Sequence, residues 1–275
     1  MINLFNYIER KSAIHDLTGA TKLVCLILWM AAAMLTYDTR VLLVFTVFSF
    51  VLFRMSKIRF SDVSFVIGFT LVFLVMNNVL IFLFSPQHGV EIYGTSHILL
   101  QLSKRYIITE EQLFYHLNLL LKYTATIPIV ILFVSTTNPS EFAASLNRIG
   151  VPYSVAYSVA LALRYIPDIQ NDYHCISQAQ QARGIEMSRK TGLFSRLKSA
   201  SAILIPLILS SMDRIETISN AMELRGFGKN RKRTWYMARK FSAADYSAMV
   251  ISGCFLAAAV LMNIINHGRF YNPFR

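Results

Sequence analysis

Two arginines, each followed by glycine, are the residues of this 275-residue chain best suited to binding chemistry: Arg183-Gly184 and Arg225-Gly226. That chemistry is recognition rather than bond making. An arginine in the last turn of a helix complements the negative pole and reaches past it. It offers a planar fork of donors to carboxylates or carbonyls in a groove. The glycine behind it lets the chain leave at positive φ with no side chain in the approach path. Ala182 precedes the first arginine and Leu224 the second.

Other reactive types are scattered. Cys25, Cys175 and Cys254 show no C-x-x-C spacing and read as free thiols. His15, His88, His97, His116, His174 and His267 have no ligand spacing with one another or with carboxylates, so no metal site is expected. Gly226-Phe227-Gly228-Lys229 lacks the spacing of a phosphate-binding loop. No cofactor and no ATP hydrolysis by this chain are therefore expected. No paired carboxylates or nucleophile elbow point to an enzyme. Asn77, Asn78, His116 and Lys122 fall inside apolar stretches, where such residues are costly in lipid. For the asparagines an interhelical hydrogen bond is the reading adopted, and Lys122 is expected to face the bundle or a partner.

The arginines must be carried by helices. Proline is favoured at the first helical position and glycine just past the last, so the sequence predicts helices from 167 to 182 and from 206 to 224. In the second, Ile208, Met212, Ile215, Ser219 and Met222 recur at helical spacing on one face. Ile169, Tyr173, Ile176 and Ala179 form the corresponding stripe of the first. Each stripe needs a cover, and the simplest candidate is the other. Asn138-Pro139-Ser140-Glu141 has a capping-box pattern and predicts a short helix ending at Gly150. Residues 153–165, with small Ala156 and Ala160, are read as a segment on or dipping into the membrane, the alternative being a further crossing that would put the carboxyl terminus on the other side.

With 55% apolar residues, 15% charged and a mean hydropathy of +0.46, the chain is an integral membrane protein. Apolar runs at 21–37, 41–53, 63–84, 113–134 and 246–265 supply about five spans, the first two arranged as a tight helical hairpin. Ala31-Ala32-Ala33 is read as part of a retained helix rather than a cleavage site. Thirteen of the 27 Lys and Arg lie between Arg183 and Lys240 with only four acids, which places that stretch in the cytoplasm and the loop at 85–112 outside. The basic run at 229–233 is read as a contact for anionic lipid headgroups rather than nucleic acid. The expected fold is all-α, with N-terminal transmembrane helices at 1–134, a cytoplasmic domain of long amphipathic helices at 135–243, and a last transmembrane helix and tail at 244–275.

Four segments occur in a telling order: Ser135-Thr136-Thr137-Asn138-Pro139-Ser140-Glu141, Leu146-Asn147-Arg148-Ile149-Gly150-Val151-Pro152, Ala162-Leu163-Arg164-Tyr165-Ile166-Pro167 and Gln181-Ala182-Arg183-Gly184. Glu223-Leu224-Arg225-Gly226 follows them. Together they resemble the transmembrane T component of energy-coupling factor transporters over about 100 residues. The resemblance implies a non-catalytic, multi-pass subunit of an importer for a vitamin or metal ion in a prokaryotic cell membrane. It implies two ABC-type ATPase subunits, or one fused chain, and a small membrane-embedded S component that binds the substrate. The family's two X-Arg-X coupling motifs fall on Ala182-Arg183-Gly184 and Leu224-Arg225-Gly226, the second departing by its leucine. Ile208, Met212, Ile215 and Met222 would then contact the S component or the neighbouring helix. The rival reading is a self-contained secondary transporter or channel with Asn77, Asn78 and Lys122 along its path.

Overall fold

The computed structural model describes residues 10, 12–101, 106–185, 192–229, 234–235 and 238–274. Lys104, Arg105 and the basic residues 231–233 lie outside them. The elements run α1 (Gly19–Leu35), α2 (Thr39–Met55), α3 (Phe60–Phe84), α4 (His88–Tyr93), β1 (Ile98–Gln101), β2 (Ile107–Thr109), α5 (Glu110–Thr136), α6 (Pro139–Arg148), α7 (Tyr153–Ala182), α8 (Leu193–Leu224) and α9 (Ala243–Ile265). They form two compact units, residues 1–138 with 239–275, and residues 139–238.

The first unit is an all-α membrane bundle. Helices α3, α5 and α9 are long and apolar enough to cross a bilayer. Helices α1 and α2, with 17 residues each, reach about 25 Å against a hydrocarbon core of about 30 Å. Only Val63 and Leu74 of α3 are buried, so nearly its whole apolar surface is left for lipid or a partner. The tight α1–α2 hairpin expected from the sequence gives way to a different packing: α1 lies mainly on α9 and α5, and α2 mainly on α5. The reason is Trp29. Its ring is filled around by Phe45, Phe48 and Phe255 at centroid distances of 4.8, 5.8 and 5.1 Å, which wedges α1 away from α2. Its indole N–H donates to the Ala125 carbonyl at 3.1 Å. Ala32 and Ala33 are buried beside it, within the continuous helix α1.

Polar groups tie the helix ends of this bundle together. At one end Lys22 of α1 donates to the last carbonyl of α5, Thr136, at 2.9 Å. At the other, Lys122 of α5 donates to the Met34 carbonyl in the last turn of α1 at 3.1 Å and lies over the Tyr37 ring at 3.6 Å. The two antiparallel helices thus exchange ammonium groups, each neutralising the other's negative pole. Beside Lys22, the buried Asp245 carboxylate accepts from Ser242 N–H and Oγ of its own helix at 2.8 Å each. It also accepts from Thr18 N–H and Oγ at 2.8 and 3.1 Å, so one carboxylate caps α9 and holds the start of α1. At the opposite end Asp38 caps α2 and accepts from Asn266, just past α9, at 2.7 Å.

The C-terminal tail closes that opposite end. Tyr37 N–H donates to the Arg269 carbonyl at 2.8 Å, Phe270 stacks on Tyr37, and Phe274 meets Tyr93 of α4. The tail therefore shares an end of the bundle with α4 and the antiparallel β1–β2 hairpin, a small sheet that the all-helical expectation omits. α4 sits close on α5 because residue 89 is glycine. A Cβ there would lie 2.6 Å from the Gln112 backbone, and the Gly89 N–H donates to Gln112 Oε1 at 2.7 Å. Gly89→Ala is expected to push α4 off α5 and to destabilise the bundle by about 2 kcal/mol, read as a lower melting temperature of the purified chain in detergent.

The second unit holds α6, α7 and α8. α6 begins at Pro139 and ends before Gly150 at φ 109°, as the sequence predicts. The helices expected to open at Pro167 and Pro206 are longer: both prolines lie inside α7 and α8. Apolar helix formers precede each proline, Ala160-Leu161-Ala162-Leu163 and Ile203-Leu204-Ile205, so the helix runs through and tolerates one missing N–H. The segment 153–165, read as a separate membrane-associated piece, is the first half of α7.

Candidate functional site

The two Arg-Gly pairs have the same local geometry. Arg183 (φ −83°, ψ 6°) and Arg225 (φ −83°, ψ 7°) are the C-caps of α7 and α8, and both are exposed. Gly184 and Gly226 follow at φ 84° and 68°. Behind Arg183, Gly184 N–H donates to Gln181 O at 3.0 Å and Ile185 N–H to Gln180 O at 3.1 Å. Behind Arg225, Gly226 N–H donates to Glu223 O at 2.8 Å and Phe227 N–H to Met222 O at 2.9 Å. Both are Schellman caps, which fold the chain back sharply and leave the arginine at the extremity. No atom lies near a Cβ placed on Gly184, and only the Lys229 side chain, at 3.8 Å, near one on Gly226. Alanine at either glycine thus meets no clash, only the strain of a left-handed backbone. Each substitution is expected to loosen its cap by about 1 kcal/mol, seen as faster amide exchange over the last turn and weaker partner binding with all arginine atoms retained.

The carrier helices run antiparallel. Along α7, Tyr157, Asp172 and Gln180 meet in turn Phe227 (ring centroids 4.9 Å), Arg214 (2.7 Å) and the Ala202 carbonyl (3.1 Å), positions that step backwards along α8. The two arginines therefore stand at opposite ends of the pair. Phe227 marks the Arg225 end beside Tyr157, and the rise of α7 from Tyr157 to Arg183 is roughly 40 Å.

The mutual covering of apolar stripes expected from the sequence does not occur. Ile208, Met212 and Ile215 are 56, 61 and 65% exposed, Ile169 and Tyr173 are exposed as well, and Met222 is half-buried. The helices meet instead through buried Ser177 and Ile203, with the Asp172–Arg214 ion pair and the Gln180 amide alongside. Small residues at a crossing let backbones approach until a side-chain amide reaches a carbonyl. That close approach turns the bulky stripe outward. Leu224, beside Arg225, is 90% exposed, so the two tips differ by one projecting aliphatic side chain.

Sequence reading missed an aromatic clamp at the Arg225 tip. Phe227 packs on Tyr153 and Tyr157 of α7, and Trp235 packs on the same tyrosines. The Trp235 indole donates to Asn147 Oδ1 of α6 at 3.1 Å. A signal was present, since Phe227 stands just after the cap glycine, where an apolar contact commonly completes the cap.

Of the polar residues inside the spans, Asn78, His116 and Lys122 are engaged within the bundle, whereas the buried Asn77 Oδ1 has no partner among the described residues and so does not make the interhelical bond expected of it. His116 Nδ1 pairs with Asn78 Oδ1 at 2.8 Å, joining α5 to α3, and Lys122 serves the end of α1. Cys25, Cys175 and Cys254 are free thiols, and among the described residues no group of His, Cys, Asp and Glu has the arrangement of a metal site.

Residues 10–236 match the model of the family described as cobalt transport protein, CbiQ. Similar proteins include the energy-coupling factor transporter transmembrane protein EcfT of Limosilactobacillus fermentum, 32% identical over 122 residues that make up 42% of this chain and 45% of that one. Proteins of the same name from Bacillus selenitireducens and Streptococcus equi subsp. equi are each 27% identical over 92% of this chain and 94% of their own length. The chain thus spans under half of the first relative and nearly all of the other two.

Proposed function

The chain belongs to the cobalt transport protein (CbiQ) family, and from that premise we propose that it is the transmembrane coupling (T) subunit of an energy-coupling-factor importer. It is a multi-pass protein of a prokaryotic cell membrane. In this reading it does no chemistry of its own: two ATPase subunits, separate or fused, hydrolyse ATP, and a small S component in the membrane binds a vitamin or metal ion. Residues 135–243 form the coupling domain on the cytoplasmic side.

One observation carries the reading. Two helices of near-equal length, 30 and 32 residues, lie antiparallel and end in the same arginine cap. Such a pair has an approximate twofold axis through its crossing, and so does a closed dimer of ATPases. Each tip, Ala182-Arg183-Gly184 or Leu224-Arg225-Gly226, then docks in one ATPase, with the roughly 40 Å between tips spanning the dimer. When ATP draws the ATPases together the tips follow, and the helices scissor about the crossing. The outward stripe of Ile208, Met212 and Ile215, with Met222 beside it, is positioned to hold the S component and to change its grip as the angle changes. The test is loss of ATPase co-purification when both arginines are reversed in charge.

A further inference from the structure

Pro206 stands inside α8 and has no N–H to give to the carbonyl four residues earlier, Ala202. An unpaired carbonyl in a helix–helix contact costs on the order of 1 to 3 kcal/mol. It is not left unpaired: Gln180 of α7 donates its side-chain amide to Ala202 O at 3.1 Å. Fully buried Ile203 is the next residue along α8, and buried Ser177 lies one turn before Gln180, so the bond sits at the tightest part of the contact. Gln180 is joined to the Arg183 tip as well, because its own carbonyl accepts from Arg183 N–H and Ile185 N–H at 3.1 Å each.

We propose that Gln180 is a positioning residue that latches the cap behind Arg183 to the proline break of α8. α8 lacks one rung at Pro206 and is easiest to bend there. The latch fixes the α7 tip to that bend, so displacement of Arg183 is delivered to the hinge rather than lost in sliding of one helix over the other. The mechanical part rests on the coupling function proposed above; the latch itself does not.

A double-mutant cycle tests it in the full-length chain in lipid nanodiscs, without partners. Gln180→Leu is expected to lower amide-exchange protection around residues 200–212 about tenfold, the weight of one hydrogen bond whose acceptor is left unsatisfied. Pro206→Ala restores the backbone donor, so adding Gln180→Leu to it should cost little further protection. Should Gln180→Leu accumulate poorly, Gln180→Glu, which turns an acceptor toward the carbonyl, serves in its place. Equal loss of protection in both backgrounds, or none in either, overturns the latch.

In the assembled transporter, spin labels at Cys175 and at a cysteine replacing Ser210, with Cys25 and Cys254 changed to serine, report the nucleotide-dependent separation of the helices. The change should shrink in Gln180→Leu at undiminished ATPase content and return in Gln180→Leu with Pro206→Ala. A merely structural glutamine would show no such rescue. An unaltered change in Gln180→Leu would refute the positioning role. Failure of the arginine test would refute the coupling function while leaving the exchange result standing.

Discussion

Arg183→Glu combined with Arg225→Glu is expected to release the ATPase subunits from the membrane complex. Each arginine is the exposed C-cap of a Schellman turn at the extremity of a long helix. Loss of a central interface arginine costs about 2 kcal/mol or more, roughly 30-fold in affinity. The tips are far enough apart for their losses to add, giving about 1000-fold for the pair before repulsion by the new carboxylates. Lysine at both positions should fall in between, because it keeps the charge and loses the planar fork. The measurement is the amount of ATPase recovered with an affinity-tagged chain in mild detergent. Recovery of wild-type amounts with the double glutamate variant sinks these anchors.

The largest effect on folding is expected from Asp245→Ala. The carboxylate is 1% exposed and accepts hydrogen bonds from the N–H and hydroxyl of Ser242 at its own helix start and from those of Thr18 at the start of α1. Both helices present their positive poles to it. Alanine leaves the buried Thr18 N–H without its acceptor and removes the charge-assisted bonds that hold the starts of α9 and α1 together, a loss of about 3 kcal/mol. Asparagine keeps the shape but turns an amide donor toward other donors, so it should recover less than half of the loss. Thermal unfolding of the purified chain in detergent measures both, and a melting point within a degree of wild type for Asp245→Ala would contradict this account of the junction.

Much of this was legible in the residues, for physical reasons that differ from place to place. Long, predominantly apolar runs announce α3, α5 and α9, and glycine behind arginine announces the caps, because both signals are local. The proline signal misled for the same reason: apolar helix formers precede Pro167 and Pro206 and carry the helix through a local start signal, and at Pro206 the Gln180 amide takes up the freed carbonyl. The outward turn of Ile208, Met212 and Ile215 was illegible because periodicity gives a stripe but not its direction. Asp38, Glu111 and Asp245, all fully buried, were passed over because a carboxylate beside an apolar run looks like a span boundary until its donors arrive from elsewhere in the chain. The two Arg-Gly tips can be proposed from type and spacing alone, but their placement at opposite ends of an antiparallel pair follows only from contacts between helices.

The chain departs for its second unit just beyond Thr136 and returns shortly before Asp245, and both of those residues are bonded to the first turn of α1, through Lys22 and Thr18. Exit and re-entry are thus stitched to a single turn of helix, the arrangement of a module inserted into a host whose cut ends stay close. Residues 139–238 could accordingly be exchanged for the same stretch of a relative as a cassette. The graft would keep the Lys22–Thr136 and Thr18–Asp245 bonds of the host, and a chimaera would carry one bundle's lipid-facing surface with another's Arg-Gly tips.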